Sequence, residues 1–141
     1  MKKSISLIAI VFIIGAAFTA CSAKESAEPI LALSGIVEFS LTEADLKSIE
    51  MVAVDYVNKD GETTTYEGVA LKPLLDSAGV KKFEKITLVA IDGYTAEITY
   101  EEVAGCSDCI IAFQEEGGLR AVMPGFSGKL QVRDLEEIQI N

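Results

Sequence analysis

Beyond residue 33 the apolar positions fall into short runs broken by turn residues, a pattern of many strands with brief helices between them. SGIVEF (34–39) reads as a first strand. SLTEADLKSI follows, with Ser40 or Thr42 as helix cap and Glu43 and Asp45 in the first turn, where the helix dipole favours acids. MVAVDYV (51–57), the Asn58–Gly61 turn and ETTTYEG predict a hairpin over 51–67. VALKPLLDSAGV reads as a helix closed near Gly79. Pro73 sits early in it, where a missing N–H costs little. KITLVAID and YTAEITY are strands around a turn at Asp92-Gly93, and YEEVAG is a further brief helix. CIIAFQ, GLRAVM and LEEIQI complete the strands. The order predicts a single α+β domain with a mixed or antiparallel sheet.

The first 31 residues fall outside that pattern. Lys2 and Lys3 precede the apolar run ISLIAIVFIIGAAF (5–18), then Phe18-Thr19-Ala20-Cys21. A basic start, a short apolar stretch and small residues before a cut site mark an export signal. The run is shorter than the roughly 20 residues of a membrane span. With a cysteine directly after Ala20, the segment resembles the lipobox of bacterial lipoproteins. That resemblance implies removal of 1–20, lipidation of Cys21 and attachment to the outer face of a bacterial membrane through acyl chains. Residues 21–31 then read as a tether, and 32–141 as the folded domain, enough for one core.

Charge narrows the partners. The chain carries 12 basic and 22 acidic residues, for a net charge of −10. Loss of Lys2 and Lys3 takes the mature chain to −12. Such acidity argues against nucleic acid, whose binding depends on basic patches. It also serves solubility alone. Residues 86–119 contain no Lys or Arg; after Lys85 the only cations are Arg120, Lys129 and Arg133. Either these three balance nearby acids or they form one local positive pocket.

Four stretches in order resemble the molybdopterin-binding domain of the sulfite oxidase family: SLTEADLKSIE, YEGVALKPLLDSAGV, ITLVAIDGYTAEITYEEV and LRAVMPGFSGKLQVRDLEEIQI. The likeness spans most of 34–141. It implies that Arg120 stands at the family's Leu-Arg position and Pro124-Gly125 at its Pro-Gly. Gly128 matches the glycine three residues on. Arg133 falls where a lysine approaches the pterin, whose phosphate calls for fixed donors. The bland alternative for Arg133 is a surface pair with Asp134 or a nearby Glu. Asp92 and Tyr94 would line a cleft in the family manner, or Asp92-Gly93 is simply a turn.

The departures from the family bear on chemistry. The molybdenum-ligating cysteine belongs at the end of the strand MVAVDYVN, near Tyr56, Val57 or Asn58, and none of these replaces a soft thiolate. The family's His-Gly is replaced by Gly117-Gly118, and the chain has no histidine. The resemblance therefore implies the scaffold without oxo-transfer at molybdenum. No molybdopterin, other cofactor or metal is expected, and molybdopterin stands only as what the family would imply.

GCSDCII (105–111) is the other chemical motif. With Cys21 lipidated, Cys106 and Cys109 form an even set and outside the cytoplasm can join in a disulfide. Redox exchange and metal binding are the alternatives. Against exchange, the second cysteine runs into a strand, and Asp108 opposes a thiolate. Against zinc, only carboxylates such as Asp108, Glu101 and Glu102 are at hand to complete four ligands. Ser127 has no histidine for a triad, the glycines do not form a phosphate loop, and Glu101-Glu102 and Glu115-Glu116 read as solvated pairs.

The expectation is a lipid-anchored extracytoplasmic module with no catalytic residue. It would bind a small anionic ligand or an envelope protein between the Asp92–Tyr94 turn and the Arg120–Arg133 segment. Arg120, Lys129 and Arg133 would be the donors, with Gly125 and Gly128 allowing close approach. An oxidoreductase module, or a purely structural surface protein, are the competing readings.

Overall fold

A computed structural model describes residues 27–141. Cys21 and the export segment lie outside the described residues. Among those described, no helix is long and apolar enough to cross a membrane.

The domain is α+β with two sheets. The first has the order β2-β1-β9-β5-β6 and the second β3-β4-β7-β8. The C-terminal strand β9 (Leu135–Ile140) is central to the first sheet. It runs parallel to β1 (Pro29–Gly35) and antiparallel to β5 (Lys85–Ala90). The edges are β2 (Phe39–Thr42) and β6 (Thr95–Thr99). Strands β3 (Met51–Val57), β4 (Thr63–Ala70), β7 (Ile110–Phe113) and β8 (Leu119–Val122) are all antiparallel.

One face of each sheet and the helices α1 (Glu43–Ser48), α2 (Leu71–Ser77) and α3 (Tyr100–Gly105) enclose the main core, with Leu46, Leu74, Ile86, Leu88 and Ile138 all fully buried. On the other face of the β3–β8 sheet, Ile110, Ala112 and Val122 form a second cluster with Val52, Val54, Tyr56 and Tyr66.

Local chemistry sets the boundaries. Thr42, rather than Ser40, caps α1: its hydroxyl accepts from the Asp45 N–H, and the Asp45 carboxylate accepts from the Thr42 N–H. Thr99 and Glu102 repeat the arrangement at α3. Gly79, at φ +80°, ends α2, with its N–H donating to the Asp76 carbonyl and that of Val80 to the Leu75 carbonyl.

Three expectations are corrected. The single strand over 34–39 is two strands. Gly35 takes φ +97°, and a Cβ there would lie 2.0 Å from the Ile140 carbonyl oxygen, so the chain turns at that point. The folded domain starts before residue 32. Strand β1 opens at Pro29 and Leu31 is 1% exposed, because Pro29 and Leu31 pair with Thr42 and Leu41 of β2. The helix expected over VALKPLLDSAGV begins only at Leu71, because Gly68–Ala70 are the end of β4 and pair with β7.

Candidate functional site

Strand β4 pairs with β3 along Thr63–Val69 but with β7 only at Gly68–Ala70. At Gly68 the two backbones are so close that a Cβ would sit 2.2 Å from the Ile111 carbonyl oxygen. Beyond it they part. The Thr63–Glu67 stretch of β4 continues as one arm of the hairpin, while β7 turns at Gln114–Gly118 into β8. Among the described residues, the β7-facing edge of Thr63–Glu67 therefore has no strand partner.

A groove of about 1100 Å³ follows this fork. Thr64–Glu67 line it on one side of the fork and Phe113–Gly118 on the other, and Arg120, Lys47 of α1 and Arg133 line it as well. Lys47 is engaged, in an ion pair with Glu43 and 5.3 Å from the centre of the Phe113 ring.

Arg120 lies opposite Ala112 on β8 and is 8% exposed. Its Nη1 donates to the Tyr66 hydroxyl at 2.9 Å, and its Cζ is 4.5 Å from the Tyr66 ring centre. Nε is buried with no acceptor among the described residues. Among the described residues Arg120 has no salt bridge to any carboxylate. A buried guanidinium is ordinarily paired, because desolvating an unpaired charge is costly. In so acidic a chain the missing partner is not explained by scarcity of carboxylates.

The other expected residues separate. Arg133 is exposed and borders both the groove and a second cleft of about 300 Å³, which Asp92, Tyr94 and Gly128 also line. Arg133 forms no pair with Asp134, whose carboxylate accepts from Gln114 Nε2 at 2.9 Å. Asp134 itself holds φ +50° where the loop bends into β9. Asp92 accepts from the Tyr94 N–H at 2.9 Å and Gly93 has φ +85°, so this segment is the turn joining β5 to β6 as well as a cleft wall.

Lys129 and Gly125 line neither hollow. The carbonyl of Lys129, not its ammonium, meets Tyr94, accepting from its hydroxyl at 2.9 Å. Gly125 serves a tight turn at φ +79°. The three late cations thus do not share one pocket: Arg120 and Arg133 border the groove, and Lys129 does not. Sequence reasoning missed Tyr66, Thr64, Glu67 and Lys47. The legible signal was Arg120 inside the apolar strand LRAV, a charge that must find something across the sheet.

Cys106 and Cys109 are joined by a disulfide. Cys106 is the C-cap of α3, and Cys109 is 1% exposed and leads into β7. Its carbonyl accepts from the Leu71 N–H at 2.8 Å, so the bridge fixes the loop that docks α2. The carbonyl end of a helix disfavours a thiolate, the opposite of the setting that activates one.

No family model and no curated protein matches the chain. Among solved structures it is similar to the sulfane dehydrogenase SoxCD from Paracoccus pantotrophus, at TM-score 0.65 and 21% identity over 78% of this chain. The fold is of the sulfite-oxidase type. At that identity the likeness speaks for the scaffold alone, and the chain spans 37% of SoxCD's length.

Among the described residues the donor set does not fit a molybdenum centre. Asn58, at the end of β3, is occupied in its turn, accepting from the N–H groups of Asp60 and Glu62. Cys106 and Cys109 are consumed in their bridge, and the described residues hold no cluster of three or more His, Cys, Asp or Glu suited to a metal. Tyr56, Val57 and Asn58 do not line the groove.

Proposed function

We infer that this chain is a membrane-anchored extracytoplasmic lipoprotein whose sulfite-oxidase-type domain binds a ligand or a partner rather than transforming a substrate at molybdenum. One observation carries the binding role: the buried Arg120, with an unsatisfied Nε and no carboxylate, beside an open groove. The lipobox-like Phe18–Cys21 carries the anchoring. The competing redox role for Cys106 and Cys109 has the weaker support, because the pair lies at the wrong end of a helix and one sulfur is buried.

Two measurements test the reading. Mass spectrometry of the protein from a bacterial membrane should find diacylglyceryl on Cys21, and Cys21→Ala should release the chain. Thermal shift of the full chain in detergent should rise with acetate, sulfate or phosphate, and the rise should vanish in Arg120→Lys. Bound molybdenum copurifying with the protein would refute the non-catalytic assignment.

A further inference from the structure

Resting on that binding role, we propose that the groove takes the carboxyl-terminal end of an extended peptide bearing a basic side chain near its terminus. Three independent features of the groove converge on this ligand.

The first is the donor geometry of Arg120. Nη1 is committed to Tyr66, which leaves the Nε/Nη2 edge of the guanidinium. That edge presents two parallel N–H groups, the spacing that meets both oxygens of one carboxylate. Arg120 lines the groove, and among the described residues this edge meets no protein acceptor.

The second is charge. Glu67, Glu115 and Glu116 line the same groove, and among the described residues none of them is in a salt bridge. Glu43 and Asp134 line it too, so the acids outnumber Lys47, Arg120 and Arg133, and the lining favours a cation beside a bound carboxylate. A ligand satisfying both ends carries one carboxylate and, a short way off, a positive group.

The third is the backbone. The Thr64–Glu67 part of the unpartnered edge forms one wall. Unpaired strand N–H and C=O groups recruit an added strand. Four residues of edge span roughly 13 Å, room for about the last four residues of a peptide. The carboxylate on Arg120 sets the register, and the rim acids select a lysine or arginine.

Equilibrium dialysis of the full chain in nonionic detergent tests this with acetylated pentapeptides of random sequence and lysine fixed at the fourth position. Retention of the free-acid pool should exceed that of the same pool with amidated ends by about tenfold, and that of a pool with glutamate at the fourth position by a similar factor. Arg120→Lys should erase the acid-over-amide preference. The exposed double variant Glu115→Gln/Glu116→Gln should erase the lysine-over-glutamate preference and leave the other intact. Equal retention of acid and amide pools, or of lysine and glutamate pools, overturns the proposal. Acetate and sulfate run in parallel separate the two levels. Anion binding lost in Arg120→Lys, without peptide discrimination, sinks the peptide and keeps the binding role. No binding of peptide or anion sinks both.

Discussion

Arg120 and Tyr66, 54 residues apart in sequence, meet across the fork of the β3–β8 sheet, with Nη1 2.9 Å from the phenol oxygen. The contact neutralises no charge. It fixes the guanidinium and leaves its electrostatic demand unmet.

That arrangement predicts opposed effects on stability and binding. Replacing a buried, uncompensated charge with an apolar side chain of similar volume is often stabilising. Arg120→Met should therefore leave the ligand-free melting temperature unchanged or raise it, while abolishing the shift with anions. Differential scanning fluorimetry with and without acetate checks both halves. Tyr66→Phe keeps the ring and loses the hydroxyl, so it should cost about 1.5–3 kcal/mol by urea denaturation, the range for a hydrogen bond to a charged group.

The fork itself depends on one residue. Gly68→Ala would force its Cβ against the Ile111 carbonyl oxygen, and backbone on both strands must shift. A loss of about 1–3 kcal/mol is expected, as for overpacking elsewhere. The position tolerates no side chain because of proximity, not because of backbone angle. Gly61→Ala, in open space at φ +81°, serves as the contrasting turn variant.

The Cys106–Cys109 bridge closes a loop of four residues, which in the chain-entropy model is worth only about 2 kcal/mol. The Cys106→Ala/Cys109→Ala variant should fold, unfold at lower denaturant by about that amount, and bind anions as wild type does. A thiol–disulfide potential near those of exchange catalysts would contradict a structural role.

Acid should weaken both capped helices. The Thr42 backbone N–H, then its hydroxyl, holds Asp45 below its ordinary pKa, and Thr99 does the same for Glu102. A depressed folded-state value means the carboxylate form is favoured by folding. The stabilisation is complete above about pH 5 and is lost as pH falls through the folded values. Thr42→Ala and Thr99→Ala should each cost about 1 kcal/mol at pH 7. They should also flatten the fall in stability between neutral and acid pH, measured by urea denaturation across that range.

Much of the secondary structure was legible, because turn chemistry and strand composition agree. Asp92-Gly93, the Asn58–Gly61 turn and the threonine caps each act within a few residues of chain. The failures lie where partners are distant. Pro29–Leu31 reads as tether because its partners, Leu41 and Thr42 of β2, lie beyond the turn at Gly35, and the strand it opens is flanked at Ala32–Gly35 by β9, over a hundred residues later. The late cations look like one cluster in sequence, yet Arg120 alternates on a strand while Lys129 sits in the 3₁₀ turn Gly128–Leu130. Tyr66 and Glu67 gave no local sign of a site. Their role arises from the parting of β4 and β7, which only the register reveals.

Ile30, the second residue of β1, lines the groove. With Cys21 acylated, the eight residues 21–28 would link bilayer to this strand, and fully extended they reach roughly 28 Å. The mouth of the groove would then work in the thin layer just above the lipid headgroups. Whatever it captures would come from neighbours at that surface, at the high local concentration that confinement to two dimensions brings.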